Sequence, residues 1–243
     1  MPRICAPLAD VWTRSDHGQL ARQFLLGDRV EIVEHSETRI KVCRPMDGYC
    51  GWIDPAHAVD AQDPEYWVRS FGGLAFPTPS LKAPHPVYLP FTSGLSGEVN
   101  DEYLQCQLGY VPMVQLTQNP VLADDPVVVA EKFLGVPYLW GGNSERGLDC
   151  SGLIQRAFGL CGITLPGDSA DQWKTCEKID TPQRGDMAFW TGHVAICADP
   201  ETLVHATAFY MSVVYEPLSD ALKRINAAGE DFLGYGRVSQ PRE

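Results

Sequence analysis

The stretch Trp140-Gly141-Gly142-Asn143-Ser144-Glu145-Arg146-Gly147-Leu148-Asp149-Cys150-Ser151-Gly152 constrains this chain more than any other, because it runs directly into an apolar stripe of helical spacing. From Cys150 the apolar residues fall at Cys150, Leu153, Ile154, Ala157, Phe158 and Cys161, the stripe of a helix buried on one face. Asp149 stands where an N-cap is wanted and Gly162 where a helix stops. The spacing predicts a helix with Cys150 in its first turn. The N–H groups and dipole of that turn favour an anion, so a thiol there loses its proton readily, and the thiolate is the nucleophile. The plainer alternative is a small apolar core residue, since cysteines outside disulfides are usually buried and inert.

A hairpin downstream bears on that choice. Asp186-Met187-Ala188-Phe189-Trp190 reads as a strand, Thr191-Gly192 as a turn, and His193-Val194-Ala195-Ile196-Cys197 as a second strand. Asp199-Pro200 then turns the chain into Thr202-Leu203-Val204-His205-Ala206. A loop of Ala198-Asp199-Pro200 makes the register symmetric about Asp199, with Cys197 opposite Glu201, Ala195 opposite Leu203, and His193 opposite His205. Opposed residues share a face, so one histidine can take a proton from a thiol while the second orients it. Two structural histidines, or two metal ligands, are the alternatives. The spacings lack the short pattern of a tight zinc site, and no metal is expected.

These residues carry a resemblance. Pro137-Tyr138-Leu139-Trp140-Gly141-Gly142, Asp149-Cys150-Ser151-Gly152-Leu153, Gly185-Asp186, Gly192-His193-Val194-Ala195-Ile196 and the later His205 resemble, in order, the NlpC-type family of bacterial cell-wall cysteine peptidases. The resemblance covers roughly residues 122 to 240. It implies Cys150 as nucleophile, His193 as base and His205 as orienting residue, in an α+β papain-like domain. There the nucleophile helix packs on an antiparallel sheet. Tyr138 matches a tyrosine that the family places beside the nucleophile, with an oxyanion role; a packed aromatic before the Gly-Gly turn is the alternative.

Composition narrows the partners. The net charge of −12 is spread over the chain without a basic patch, which argues against nucleic acid and anionic membranes. The eight cysteines show no C-x-x-C and no disulfide framework, so reduced thiols are the expectation. Pro2, Pro7 and Asp10 interrupt the apolar residues at the N-terminus, and no stretch is long and apolar enough to span a membrane, so the cytoplasm is the expected location.

Residues 1–60 read as short strands, with alternation in Arg39-Ile40-Lys41-Val42-Cys43 and a closing Tyr49-Cys50-Gly51-Trp52-Ile53. Residues 61–120 are rich in proline (Pro77, Pro79, Pro84, Pro86, Pro90) and again strand-like. Gly48-Tyr49-Cys50-Gly51-Trp52-Ile53 has a partner in Gly109-Tyr110-Val111-Pro112-Met113-Val114, a weak internal repeat suggesting two small all-β domains. Both resemble bacterial SH3-like barrels. Asn119-Pro120 to Asp125-Pro126 reads as a linker and Val127 to Leu134 as a helix opening the domain 121–243.

Leu165-Pro166-Gly167-Asp168-Ser169-Ala170-Asp171-Gln172 resembles the branch of the family that cleaves muropeptides with a free N-terminal L-alanine. The resemblance implies that Asp168, with Tyr49 of the first barrel, holds the substrate ammonium and that the barrel closes that end of the cleft. A carboxylate in a closed pocket rewards an ammonium and penalises a neutral amide. Ser169 would add a hydrogen bond to the substrate. A helix N-cap at Asp168-Ser169 and a packed aromatic at Tyr49 are the alternatives. The function expected is a γ-D-glutamyl-L-diamino-acid endopeptidase that recycles L-Ala-γ-D-Glu-diaminopimelate peptides without cofactor. The alternatives are an exported wall-remodelling hydrolase, amidase or acyl-transfer chemistry on the same fold, and a non-catalytic muropeptide-binding module.

Overall fold

Period-two alternation in the N-terminal half becomes short antiparallel strands. The computed structural model describes residues 1–16, 18–120 and 123–238. The chain divides into two compact units, Met1–Pro120 and Val121–Glu243. Residues 121 and 122, inside the linker expected from Asn119 to Pro126, lie outside the described residues.

In the first unit, strands Leu20–Leu25, Leu8–Trp12, Tyr49–Ile53, Ile40–Arg44 and Glu31–His35 form one sheet in that order, and Pro2–Ile4 pairs with Ala58–Asp60. Ile4, Ala9, Val11, Phe24, Val30, Ile40, Val42 and Ile53 fill its core. A second core holds Val68, Ala75, Leu89, Leu95, Leu104, Val111 and Leu116, joined by Leu26 from the preceding segment. The weak repeat has a structural counterpart. Tyr49–Ile53 leads into a 3-10 turn at Pro55–His57 and a final strand that pairs with the first. Gly109–Pro112 likewise leads into a 3-10 turn at Met113–Gln115, and then into Leu116–Thr117, which pairs with Tyr66–Val68. Both Gly48 (φ 72°) and Gly109 (φ 120°) sit in the left-handed region at the hairpin turn, so the glycines of the repeat answer a backbone need.

The thiols are not all reduced, contrary to the expectation from their spacing. Cys43 and Cys50 are joined by a disulfide. They are directly opposed in the hairpin of Ile40–Arg44 and Tyr49–Ile53, with Cα atoms 4.0 Å apart. A pair made by hairpin register has no signature spacing, so reading cysteine intervals along the chain missed it. The same hairpin is held by a buried charge cluster. Arg44, 5 % exposed, donates to both carboxylate oxygens of Asp47 (3.0 and 2.5 Å) and to Asp28 (2.9 Å).

The second unit is a six-stranded antiparallel sheet among the described residues. Its order is Glu177–Ile179, Phe232–Arg237, Met187–Trp190, His193–Cys197, Thr202–Thr207 and Ser212–Pro217. Helices α1 (Pro126–Lys132) and α2 (Cys150–Gly159) pack across the strands His193–Cys197 and Thr202–Thr207; α3 spans Ser169–Thr175 and α4 spans Leu218–Ala227. Ala221 and Ile225 of α4 pack on Ala188, Trp190, Ala195, Cys197 and Leu203. The alternate residues Val194, Ile196, Val204 and Ala206 are equally buried, so the central strands are covered on both faces. That is why they read as apolar runs and not as clean alternation.

The histidine hairpin is shifted from its expected register. Cys197 pairs with Leu203 and Ile196 with Val204. His205 therefore stands across from Ala195, not His193. The turn is longer than Ala198-Asp199-Pro200: Ala198 N–H donates to Thr202 O at 2.8 Å and the Asp199 carboxylate caps Glu201 N–H at 2.8 Å. A slip of two residues keeps every side chain on its face, so the two histidines become diagonal neighbours and still meet.

Replacing Arg44 by Ala leaves the Asp47 carboxylate, 1 % exposed, without its counter-charge. Urea denaturation of the full chain is expected to show a loss of about 3–5 kcal/mol in the transition of the first unit.

Candidate active site

Asp149 organises the start of α2. One of its carboxylate oxygens accepts from the Gly152 N–H (2.6 Å) and the Ser151 hydroxyl (3.2 Å), and the other from the Gly141 N–H (3.0 Å). One side chain thus caps the helix and fastens the Gly141-Gly142 turn to it. The turn and the helix touch backbone to backbone. A Cβ on Gly152 would stand 2.4 Å from the Gly142 carbonyl oxygen, and one on Gly142 would stand 2.4 Å from that of Gly147. Cys150 is the first residue of this capped helix and is 8 % exposed, at the positive end of the helix dipole.

Tyr138 bridges to Leu148 just before the cap, and its N–H donates to Met211 O at 3.0 Å. Burial, with the negative potential of Cys150, Asp149 and Glu230, holds its hydroxyl above the ordinary tyrosine range. It stays protonated, a hydrogen-bond donor within the field of Cys150.

His193 begins its strand and His205 lies at the centre of the next, 0 % exposed. His193 Nε2 and His205 Nδ1 are 2.9 Å apart, with the rings edge to face. His205 Nε2 lies 2.9 Å from Oε2 of Glu216, which is 2 % exposed; the contact has ion-pair distance, angled rather than linear as a hydrogen bond. Glu216 also receives two hydrogen bonds from Arg224 of α4, Nε to Oε1 at 2.9 Å and Nη2 to Oε2 at 2.6 Å. Burial would raise the Glu216 carboxyl, but its bonds to His205 and Arg224 outweigh that and hold it down at about 2. His193 is pulled down to about 3 by burial first and then by the neighbouring His205 and Arg224, with Glu216 pulling the other way. It is neutral at pH 7, as a proton acceptor must be.

Asp168 occupies the N-cap position of α3 but makes no side-chain capping bond, so the helix-cap alternative for it is not realised. Ser169 follows as the first residue of α3. Gln172, fully buried, donates to Ser151 O (3.1 Å) and Pro166 O (3.0 Å), which fastens α3 to α2. Tyr49, in the first unit, is half-buried against that unit's core, with its ring edge-on to Phe24 and beneath the Arg22 guanidinium. The packed-aromatic alternative for Tyr49 is therefore realised in part, through these contacts.

Sequence reasoning named Cys150, His193, His205, Tyr138, Asp168, Ser169 and Tyr49. It missed Glu216 and Arg224, and gave Gln172 no role. Gln172 was visible as the last residue of the Asp-Ser-x-x-Gln run. Glu216 carried no signal, because only the pairing of Leu203 with Glu216 turns an acidic residue of an edge strand inward beside His205. Chemically, a thiol at a helix start, a neutral imidazole oriented by a second one, and a protonated phenol are the parts of acyl transfer through a thioester.

Residues 135–225 match the NlpC/P60 family and residues 13–57 the bacterial dipeptidyl-peptidase Sh3 domain. The chain carries an NlpC/P60 domain after a bacterial dipeptidyl-peptidase SH3 domain. It is 27 % identical to a γ-D-glutamyl-L-lysine dipeptidyl-peptidase of Bacillus cereus, over 83 % of this chain and 71 % of that protein. It is 26 % identical to dipeptidyl-peptidase 6 of Lysinibacillus sphaericus, over 84 % of this chain and 86 % of that one. The crystal structure of an NlpC/P60 family protein from Bacillus cereus superposes with a TM-score of 0.81, at 22 % identity, over 97 % of this chain and 98 % of that one, so the fold is shared.

Gly152→Ala pushes a methyl group into the Gly142 carbonyl, which is backbone and gives way poorly. A loss of about 1–3 kcal/mol in chemical denaturation is expected, together with slower alkylation of Cys150 as the helix start moves.

Proposed function

We propose that this protein is a cysteine peptidase that hydrolyses the γ-D-glutamyl–diamino acid bond of peptidoglycan-derived peptides bearing a free N-terminal L-alanine. The observation that carries the proposal is kinship across both domains, not the catalytic one alone, with a γ-D-glutamyl-L-lysine dipeptidyl-peptidase. The helix start at Cys150 and the coupled His193–His205 pair supply the chemistry that such a reaction needs.

His193 takes the Cys150 thiol proton as the sulfur attacks the γ-carbonyl carbon of D-glutamate. The carbonyl π electrons move to oxygen, where the Cys150 N–H and the Tyr138 hydroxyl are the candidate donors. Collapse breaks the C–N bond, and His193 gives its proton to the leaving amine of the diamino acid. Water then attacks the thioester, His193 accepts its proton, and L-Ala-D-Glu leaves as the proton returns to sulfur. No cofactor enters these steps. In this reading the Asp168 carboxylate receives the substrate ammonium, and Ser169 hydrogen-bonds its backbone. An N-acetylated peptide would bring a neutral amide to a carboxylate and lose binding.

A cytoplasmic recycling role is one setting for this reaction. The Cys43–Cys50 disulfide favours the second, action on wall peptides in an oxidising compartment, because such bonds persist outside the reducing cytosol.

The experiment is incubation with L-Ala-γ-D-Glu-diaminopimelate, L-Ala-γ-D-Glu-L-Lys and their N-acetylated forms, with dipeptide release followed by mass spectrometry. The expected result is cleavage of the amine-bearing peptides only, none by Cys150→Ala, and loss of the amine preference in Asp168→Ala. Equal cleavage of acetylated peptides by the wild type overturns the amine requirement. Cleavage of neither set, by a folded protein whose Cys150 alkylates, overturns the substrate assignment.

A further inference from the structure

The histidine pair does not end the chain of polar contacts. Behind His205, the Ser212–Pro217 strand brings Glu216 inward, and α4 brings Arg224 onto it. We infer that Glu216, clamped by Arg224, is the positioning residue that decides which ring nitrogen of each histidine carries the proton, and so leaves His193 Nδ1 bare to receive one. The inference rests on the reading of His193 as the base for Cys150.

The proton positions are set from the carboxylate outward. Glu216 Oε2 lies 2.9 Å from His205 Nε2 in a site closed to water. Two lone-pair-bearing atoms at that distance would repel each other, whereas a polarised N–H is attracted to the carboxylate even off its axis, so Nε2 carries the hydrogen. A neutral imidazole has a single N–H, which leaves His205 Nδ1 as an acceptor. His193 Nε2, 2.9 Å from it, is therefore the donor. The remaining nitrogen of His193, Nδ1, holds the lone pair. Each choice depends on the one before, and the carboxylate makes the first.

Arg224 is what lets a buried carboxylate do this without taking the proton itself. Its two hydrogen bonds keep Glu216 a weak base, held at about 2, so the carboxylate orients His205 and stays charged. Arg224 is itself fixed by the rings of Phe209 (4.6 Å) and Tyr210 (5.7 Å), and the Tyr210 hydroxyl reaches Glu216 Oε1 at 3.4 Å. The charged and titratable groups that act on His193 are thus His205 from the neighbouring strand, Glu216 from the strand beyond, and Arg224 from α4, with Cys150 on α2 as its proposed partner. Glu216 pulls His193 towards the protonated form, and His205 and Arg224 push against it. Losing Glu216 makes His193 a weaker base; losing Arg224 makes it a stronger one.

The test uses the full chain with Cys150→Ala, so that no thiolate perturbs the imidazoles, and reads ring ¹⁵N shifts by NMR across a pH titration. The expected result is Nε2–H on both His193 and His205. Adding Glu216→Gln lowers the His193 titration midpoint, and adding Arg224→Met raises it. In the enzyme with Cys150 intact, Glu216→Gln lowers kcat about 10–100-fold with KM unchanged. An Nδ1–H tautomer at His205, or a His193 midpoint that moves with neither substitution, overturns the inference. If Glu216→Gln does not fold, the Arg224→Met midpoint decides by itself. Because the NMR arm needs no substrate, failure to cleave γ-D-glutamyl peptides counts against the proposed function and leaves this inference standing.

Discussion

The carboxylate of Asp149 is the point on which the second unit depends. It binds the helix start through Gly152 and Ser151, and the preceding turn through Gly141. Two segments that meet at glycine backbones are thereby locked, with Cys150 between them. A cap usually contributes about 1 kcal/mol to a helix. Here the same bonds set where the Cys150 thiol stands, so their geometric consequence exceeds their energetic one. Tyr138 enters the same construction through its bridge to Leu148.

The second constraint is the buried chain His193–His205–Glu216–Arg224. Four polar groups along one face of a covered sheet would be costly if any were left unmatched. The chain avoids this by beginning at a half-buried imidazole and ending at a partly exposed guanidinium, so that its interior members each have partners on both sides. Its setting also explains why His193 is held neutral, since burial, with His205 and the Arg224 guanidinium beside it, outweighs one carboxylate.

The first unit concentrates its own polar chemistry in one place. A single hairpin carries the buried Arg44 cluster, the Cys43–Cys50 bond and Tyr49 within a few residues. The ring of Tyr49 packs edge-on to Phe24 and beneath the Arg22 guanidinium.

Local physics made much of this legible in the sequence. The apolar stripe after Cys150, the Asp149 cap and the strand around His193 each arise from residues close together in the chain, where periodicity and capping act directly. Side-chain parity was also legible: the histidines share a face even though their register differs by two residues, because a slip of two preserves the face. What the sequence could not determine was which distant groups would meet. The turn after Cys197 set the true register through its own hydrogen bonds, Cys43 found Cys50 through hairpin pairing, and Glu216 reached His205 only once an edge strand was laid beside it. Neighbours along the chain choose the elements and their faces; contacts between elements depend on register and packing, and these belong to the folded whole.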